Sequence, residues 1–407
     1  MWLNGAVRSA GYLETLQAPH VLRSFVPSVG GRVALSTSRL ALIILLGEGA
    51  GSFVLAGVVT GLVGLANVVA TAPRARWIDR RGQTTPMTVL AVGHGVSLTA
   101  LALVATSDVG GAVGLVVVVA LSLVTGASTP PFPTTMRVLW SVALPPGSAR
   151  RSGFSLDAVA DELSYAVGPV VAAVLAATVS PLVSLLASAA AIVVAALVYA
   201  ASPLARAERG SVVDVTQDGP ARSPLRSPGF IPLVVAMLVP GLVLGYMDIA
   251  APALVTDDTG PLLAGLLLGL LALTSGISGL VYGRLPVTAS LERQLLLMAV
   301  LLNLVAIGAG LLGGVVVWVV GFGLAGVFLA PGLIAGYLAA DERADPRART
   351  EANGWMDTAV QLGSTLGAMM FGALTGLVSP GDALACSGVV ALAVALVCAP
   401  SLLRAPR

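Results

Sequence analysis

Long apolar runs dominate the chain and leave few choices of fold. Twelve segments are nearly free of charge, at 24–46, 52–73, 85–106, 110–135, 152–178, 181–203, 229–254, 260–283, 291–312, 314–339, 351–378 and 382–403. A helix rises about 1.5 Å per residue, so roughly 20 residues cross the hydrocarbon of a bilayer. Backbone amides in hydrocarbon must be satisfied within their own segment, which predicts a helix for each run. Only 10% of the 407 residues are charged, where a soluble domain carries about 25%. The expected class is an all-α polytopic membrane protein with twelve spans. The 47 glycines suit helices that must approach closely, because lipid offers no hydrophobic drive for helix association.

The placement of charge predicts orientation. All 22 basic residues are arginine, and apart from Arg8 and Arg23 before the first segment and Arg32 and Arg39 within it they fall after even-numbered segments. Arg74, Arg76, Arg80 and Arg81 follow the second; Arg137, Arg150 and Arg151 the fourth; Arg206, Arg209, Arg222 and Arg226 the sixth. Arg284 and Arg293, then Arg343, Arg347 and Arg349, then Arg404 and Arg407 repeat the pattern. Loops after odd-numbered segments hold Glu48, Asp108, Asp257, Asp258 and Asp382 instead. Cytoplasmic loops retain positive charge, so both termini are expected inside the plasma (cell inner) membrane. Trp77, Trp140 and Trp355 are expected as interfacial anchors. Residues 1–23 read as a cytoplasmic lead-in, lacking a continuous apolar core and a cleavage site.

Composition also excludes chemistry. With no lysine there is neither a P-loop lysine nor a Schiff-base lysine, which rules out ATP-driven pumping by this chain alone. Two histidines and two cysteines are too few for a metal or disulfide framework. No nucleophile or acid–base set assembles at catalytic spacing, so no enzyme, no cofactor, no metal and no nucleic-acid partner are expected.

Residues 205–228, rich in Pro, Gly, Ser and charge, read as a cytoplasmic linker between a six-helix bundle at 24–204 and a second at 229–407. The halves carry a faint repeat. Ala56, Gly57, Gly61, Leu62 and Arg76 recur as Ala264, Gly265, Gly269, Leu270 and Arg284, at an offset of 208. Gly126, Pro131, Asp157 and Ser164 recur as Gly326, Pro331, Asp357 and Ser364, at an offset of 200.

The densest charge cluster, Ala75–Gln83, lies between the second and third segments and reads as a short cytoplasmic turn. Asp79, Arg80 and Gly82 match the signature Gly-x-x-x-Asp-Arg/Lys-x-Gly-x-Arg/Lys-Arg/Lys, with Ala75 at its first glycine and Thr84 where a base is usual. With twelve helices and two related halves, the chain resembles the major facilitator superfamily over nearly its whole length. Pro130-Pro131, Arg137 with Trp140, Asp161-Glu162-Leu163 and Gly168-Pro169 are similar to its actinobacterial branch. Gly168-Pro169 is similar to half of the helix 5 motif of proton-coupled exporters; Ala172-Ala173 replaces the following glycines, and the helix 4 arginine motif is absent. The resemblance implies two pseudo-symmetric six-helix bundles and a gating role for the loop residues Arg76, Asp79, Arg80 and Gly82. It implies that Asp79 faces the start of helix 11 near Thr350–Asn353, an anion at a helix N-terminus.

Charges inside a membrane cost about 2.5 kcal/mol or more at a helix centre, which makes the embedded ones candidates for function. Arg32, Ser36 and Arg39 share a face of helix 1. The resemblance turns helices 1, 4, 7 and 10 toward a central cavity, where two arginines would favour an anionic solute. Asp157, Asp161, Tyr165 and Gly168 share a face of helix 5, with Glu162 beside it. Arg32 is expected to pair with Asp161 or Glu162; adjacent carboxylates in low dielectric suit proton uptake and release, the alternative being a static salt bridge that braces helix 5. Asp248 is placed at the cavity mouth of helix 7. His94 and Asn67 are expected to pack between helices, and the prolines at 130, 131, 133, 240 and 331 to kink them.

The expected function is secondary transport of a small organic solute by alternating access, as proton-coupled efflux, by a monomer in the lipid bilayer. The alternatives are an uptake permease for an organic anion and a non-transporting scaffold or sensor of the same fold.

Overall fold

The computed structural model describes residues 11–46, 53–107, 111–208, 223–254, 260–285 and 289–404. Among them the regular structure is all helical. In chain order the helices are α1 (Tyr12–Gln17), α2 (Val21–Ile44), α3 (Phe53–Arg81), α4 (Thr84–Ala105), α5 (Gly111–Ala127) and α6 (Phe132–Ala143). Then come α7 (Ser148–Thr178), α8 (Pro181–Ala200), α9 (Pro203–Ala207), α10 (Phe230–Ala253), α11 (Gly260–Arg284) and α12 (Leu291–Leu312). The chain closes with α13 (Val315–Arg343), α14 (Arg349–Thr375) and α15 (Pro380–Arg404).

Ten stretches of the described residues are long and apolar enough to cross a membrane, and α5 with α6 makes one of them. Helices α2 and α14 are as long, at 24 and 27 residues. They are less apolar: α2 carries Arg23, Arg32 and Arg39, and α14 carries Arg349, Glu351 and Asp357 together with the polar Gln361, Ser364 and Thr365. Together these make the twelve spans. Glu48, Asp108, Asp257 and Asp258 lie outside the described residues, as do Arg209, Arg222 and Arg407.

Three expectations need correction. The basic cluster is not a turn: α3 runs through Arg81, and Gly82 and Gln83 alone separate it from α4. Gly82 takes a φ of 75°, a left-handed conformation that suits glycine. The fourth span does not merely kink; it breaks between α5 and α6, because Pro130 and Pro131 offer no N–H to a helix ladder. Trp140 is not an interfacial anchor. It is fully buried and packs on Phe25, ring centroids 5.3 Å apart.

Backbone contacts divide the chain into two compact units. One comprises Leu16–Ala143 and Ala160–Ala221. Within it α2 lies on α8, α3 on α5, and α4 on both α5 and α8. Its core gathers Leu42, Leu98, Leu101 and Leu185. The other comprises the N-terminal residues to Thr15, Leu144–Val159 and Arg222–Arg407. There α10 lies on α14, α11 on α13, and α12 on α13 and α15. Tyr246, Phe322 and Phe371 are fully buried in its core.

The faint repeat has a physical counterpart in each unit. A Cβ on Gly126 of α5 would stand 2.1 Å from the Val63 carbonyl oxygen of α3. A Cβ on Gly326 of α13 would stand 2.2 Å from the Leu271 carbonyl oxygen of α11. The glycines are 200 residues apart and the carbonyls 208, the two spacings of the repeat. The same contact of backbone on backbone has been kept twice.

Candidate functional site

The first unit gathers a charged cluster from three helices. Arg32 of α2 donates to Asp161 Oδ1 at 3.0 Å, and Arg137 of α6 donates to Asp161 Oδ2 at 2.9 Å. The arginine side chains are 3% and 5% exposed, while the carboxylate keeps 25%. The break at the prolines matters here. It lets the chain restart as α6 at Phe132, one turn before Arg137. Because α7 begins at Ser148, Asp161 lies about 20 Å along that helix. The sequence pointed to Arg32 with Asp161 or Glu162. Apart from its place in a family-like stretch with Trp140, Arg137 read as a loop charge, since an arginine two residues past an apolar segment looks like positive-inside patterning.

One turn up, the same faces of α2 and α7 touch without charge. A Cβ on Gly168 would meet Ser36 Cβ at 2.5 Å, so the glycine admits α2 against α7. Pro169 follows within the unbroken α7. Beyond it Arg39 is exposed, its guanidinium carbon 6.0 Å from the centre of the Tyr165 ring. Glu162 is half-buried beside the cluster, and Asp157 is buried.

Arg74 departs from the expected loop anchor. It is 7% exposed and donates to the carbonyls of Thr129 at 2.6 Å and Asn67 at 3.0 Å, and to Asn67 Oδ1 at 2.8 Å. The Gly126 and Ala127 carbonyls lie at 3.4 and 3.5 Å. The Thr129 carbonyl lies in the break, where Pro133 four residues on has no N–H to give it, so Arg74 caps the C-terminal end of α5 while Asn67 of α3 holds its guanidinium. Buried Gln83 joins α4 to α6 and α8: it donates to the Thr135 carbonyl at 3.1 Å and accepts from Tyr199 Oη at 2.7 Å. His94 is packed, with Nδ1 2.8 Å from the Thr125 carbonyl oxygen. Of the signature residues, Arg76 and Arg80 are exposed and Asp79 is half-buried on the last turns of α3.

The second unit has its own polar contacts. Tyr246 of α10 donates to Asn303 of α12 at 3.1 Å, both fully buried. Tyr337 of α13 donates to Asp357 of α14 at 2.5 Å. Asp248 is exposed on α10. A denser cluster went unread in the sequence. The Asp341 side chain, 0% exposed, takes Arg150 at 3.0 Å and Arg349 at 3.2 Å. Arg343 reaches Glu292 at 2.7 Å and the Pro228 carbonyl at 3.1 Å. Arg150, Arg151, Asp341, Glu342 and Arg349 line a cavity of about 380 Å³. Nothing local marks these residues, which come from segments almost 200 positions apart.

Tyr12 of α1 donates to the Leu280 carbonyl, with Arg284 4.6 Å from its ring centre. Burial raises the Tyr12 phenol above its ordinary value, with the Arg284 charge pulling the other way, so the group is a neutral donor at physiological pH. Among the described residues no group of three or more His, Cys, Asp or Glu is placed to hold a metal ion.

A family model described as Major Facilitator Superfamily matches residues 32–368. Comparison with curated proteins gives no match. Solved structures resemble the whole chain. The human organic anion transporter TETRAN is 16% identical, covers 94% of this chain and 100% of its own, and has a TM-score of 0.71. A bacterial homologue of the iron transporter ferroportin, in an outward-facing state, is 14% identical over 95% and 98%, with a TM-score of 0.73. The E. coli fucose:proton symporter is 11% identical over 92% and 97%, with a TM-score of 0.71. At these identities the likeness is one of fold.

Proposed function

The chain belongs to the Major Facilitator Superfamily, and on that premise we propose that it is a secondary transporter exporting a small organic solute against protons. It is a multi-pass membrane protein, and the arginine pattern supports placing both termini on the cytoplasmic side of the plasma membrane. The mechanism proposed is alternating access, with the solute site near mid-membrane.

The observation that carries the coupling is Asp161 between Arg32 and Arg137. Two cations from α2 and α6 share one carboxylate on α7, which still reaches solvent with a quarter of its surface. A proton delivered to Asp161 neutralises the anion that ties the three helices, so both ion pairs weaken in one event. Loss of the proton restores both. That is a two-state element biased by protonation, which antiport requires. Glu162 is the adjacent carboxylate and is assigned the proton's entry. The Asp79 loop is assigned a gating role, and Asp248 a place in the solute path.

Reconstitution into proteoliposomes tests the reading. Asp161→Asn fixes the neutral state, so solute exchange without a proton gradient should persist while pH-driven accumulation is lost. Glu162→Gln should flatten the pH dependence less severely. Gradient-driven transport that survives Asp161→Asn would reject the coupling assignment. Absence of any protein-dependent flux from the wild-type protein, with a panel of candidate solutes, would favour a scaffold.

A further inference from the structure

Arg39 stands apart from Arg32, Arg74 and Arg137. Arg32 and Arg137 are buried on Asp161, and Arg74 is buried on carbonyl oxygens. Arg39 is exposed, and among the described residues its contact is the Tyr165 ring, with no ion pair. An arginine in a membrane span faces protein interior or a water-filled space, because lipid exposure costs several kcal/mol. The most exposed apolar side chains of α2, Leu22 and Val26, point elsewhere, with Arg39 about 140° around the helix from Val26 at 100° per residue; the less exposed Ile43 lies one turn beyond Arg39. Arg39 instead continues the face of Arg32 and Ser36, which meets α7 at Asp161 and Gly168, and its guanidinium stays exposed beside Tyr165. On α7, Tyr165 is itself 54% exposed.

We propose that Arg39 and Tyr165 form a recognition point for small aromatic carboxylates, which makes the transported solute an organic anion. The proposal rests on the transport reading above for its consequence, though the site itself can be tested without transport. A guanidinium presents two parallel N–H donors that match a carboxylate, and such charge-assisted bonds are about twice as strong as neutral ones. The phenol ring offers a flat face for an aromatic solute to stack against, with ring centres 4.5–7 Å apart in favourable pairs. Tyr165 also holds the guanidinium in place through its ring face, which orients the donors before the anion arrives. The buried arginines are already committed to protein acceptors, so the carboxylate is directed to Arg39.

The test uses the purified full-length chain in detergent, with benzoate as probe. Benzoate should raise the unfolding temperature, whereas benzyl alcohol and benzylamine at equal concentration should not. Arg39→Gln should weaken benzoate binding about tenfold or more, since it removes a charged partner. Arg39→Lys should retain part of the affinity. Tyr165→Leu should weaken benzoate more than acetate. Equal stabilisation by benzyl alcohol and benzoate in the wild-type protein would overturn the proposal, with no variant needed. So would benzoate binding unchanged by Arg39→Gln. Benzoate binding with no protein-dependent flux would leave the site standing and bring down the transport reading. Flux of a neutral solute with no benzoate binding would do the reverse.

Discussion

Single residues in this protein do work that their place in the sequence hides. Arg74 sits in the most basic stretch of the chain, yet its guanidinium is spent on the Thr129 and Asn67 oxygens. A buried carbonyl left without a donor costs about 1–3 kcal/mol. Arg74→Ala frees the Thr129 carbonyl and Asn67 Oδ1 together, so it should destabilise the protein by about 3 kcal/mol, read as an earlier unfolding midpoint in detergent. Arg81→Ala, on an exposed side chain of the same cluster, should leave the midpoint unchanged. Equal midpoints for the two variants would reject the capping role. Asp161 shows the same economy: one carboxylate meets two arginines from different helices. Removing one partner of a fully buried pair costs about 3–5 kcal/mol, and the residual exposure of Asp161 makes that an upper bound for Asp161→Asn.

At the scale of elements, glycine sets where helices touch. Helices α10 and α14 carry Gly241 with Gly245 and Gly363 with Gly367, each pair four residues apart. A Cβ on Gly245 would stand 1.8 Å from the Ser364 carbonyl oxygen, and one on Gly363 2.3 Å from the Leu238 carbonyl oxygen. Both obstacles are backbone, which does not swing aside. Without a hydrophobic drive in lipid, this close approach supplies the dispersion contact that holds the two helices. Gly245→Val should therefore cut the yield of folded protein sharply, measured by monodisperse recovery in detergent. Gly308→Ala on α12, where nothing lies within 4 Å of the new Cβ, should be neutral or add up to about 1 kcal/mol through helix propensity. Similar yields for both would show that the α10–α14 contact is dispensable. The break between α5 and α6 is a second element-scale device. It ends one helix at Ala127, restarts another at Phe132, and so brings Arg137 to Asp161.

At the scale of the whole molecule, orientation and gating are the properties to test. In a cysteine-free background (Cys386→Ser with Cys398→Ser), Ser379→Cys lies between α14 and α15, and Ser290→Cys precedes α12. An impermeant maleimide should label the first from outside intact cells and the second only after permeabilisation. The reverse pattern would invert the proposed topology. Asp79→Asn should lower solute flux at least tenfold while leaving the amount of protein in the membrane unchanged; normal flux would remove the gating assignment. Asp341→Asn, which deprives Arg150 and Arg349 of a fully buried anion, should lower stability as well as flux, and that difference separates a brace from a gate.

The class of fold was legible from the sequence alone, because bilayer thickness dictates helix length and unpaired amides are intolerable in hydrocarbon. So was the family, through Asp79, Arg80 and Gly82 with the twelve apolar runs. The repeat spacings of 200 and 208 were visible as weak identities; the Gly126 and Gly326 contacts supplied their cause. Periodicity placed Arg32, Ser36 and Arg39 on one face, since a helix face is a local property. It could not say that Arg32 would be paired and Arg39 left exposed, because that depends on where the carboxylates of α7 meet α2. Arg74, Arg137 and Asp341 were misread or passed over for the same reason. Whether an arginine ends in water or on a buried acceptor is decided by chain brought from 20 to 200 residues away, and only the folded packing specifies that partner.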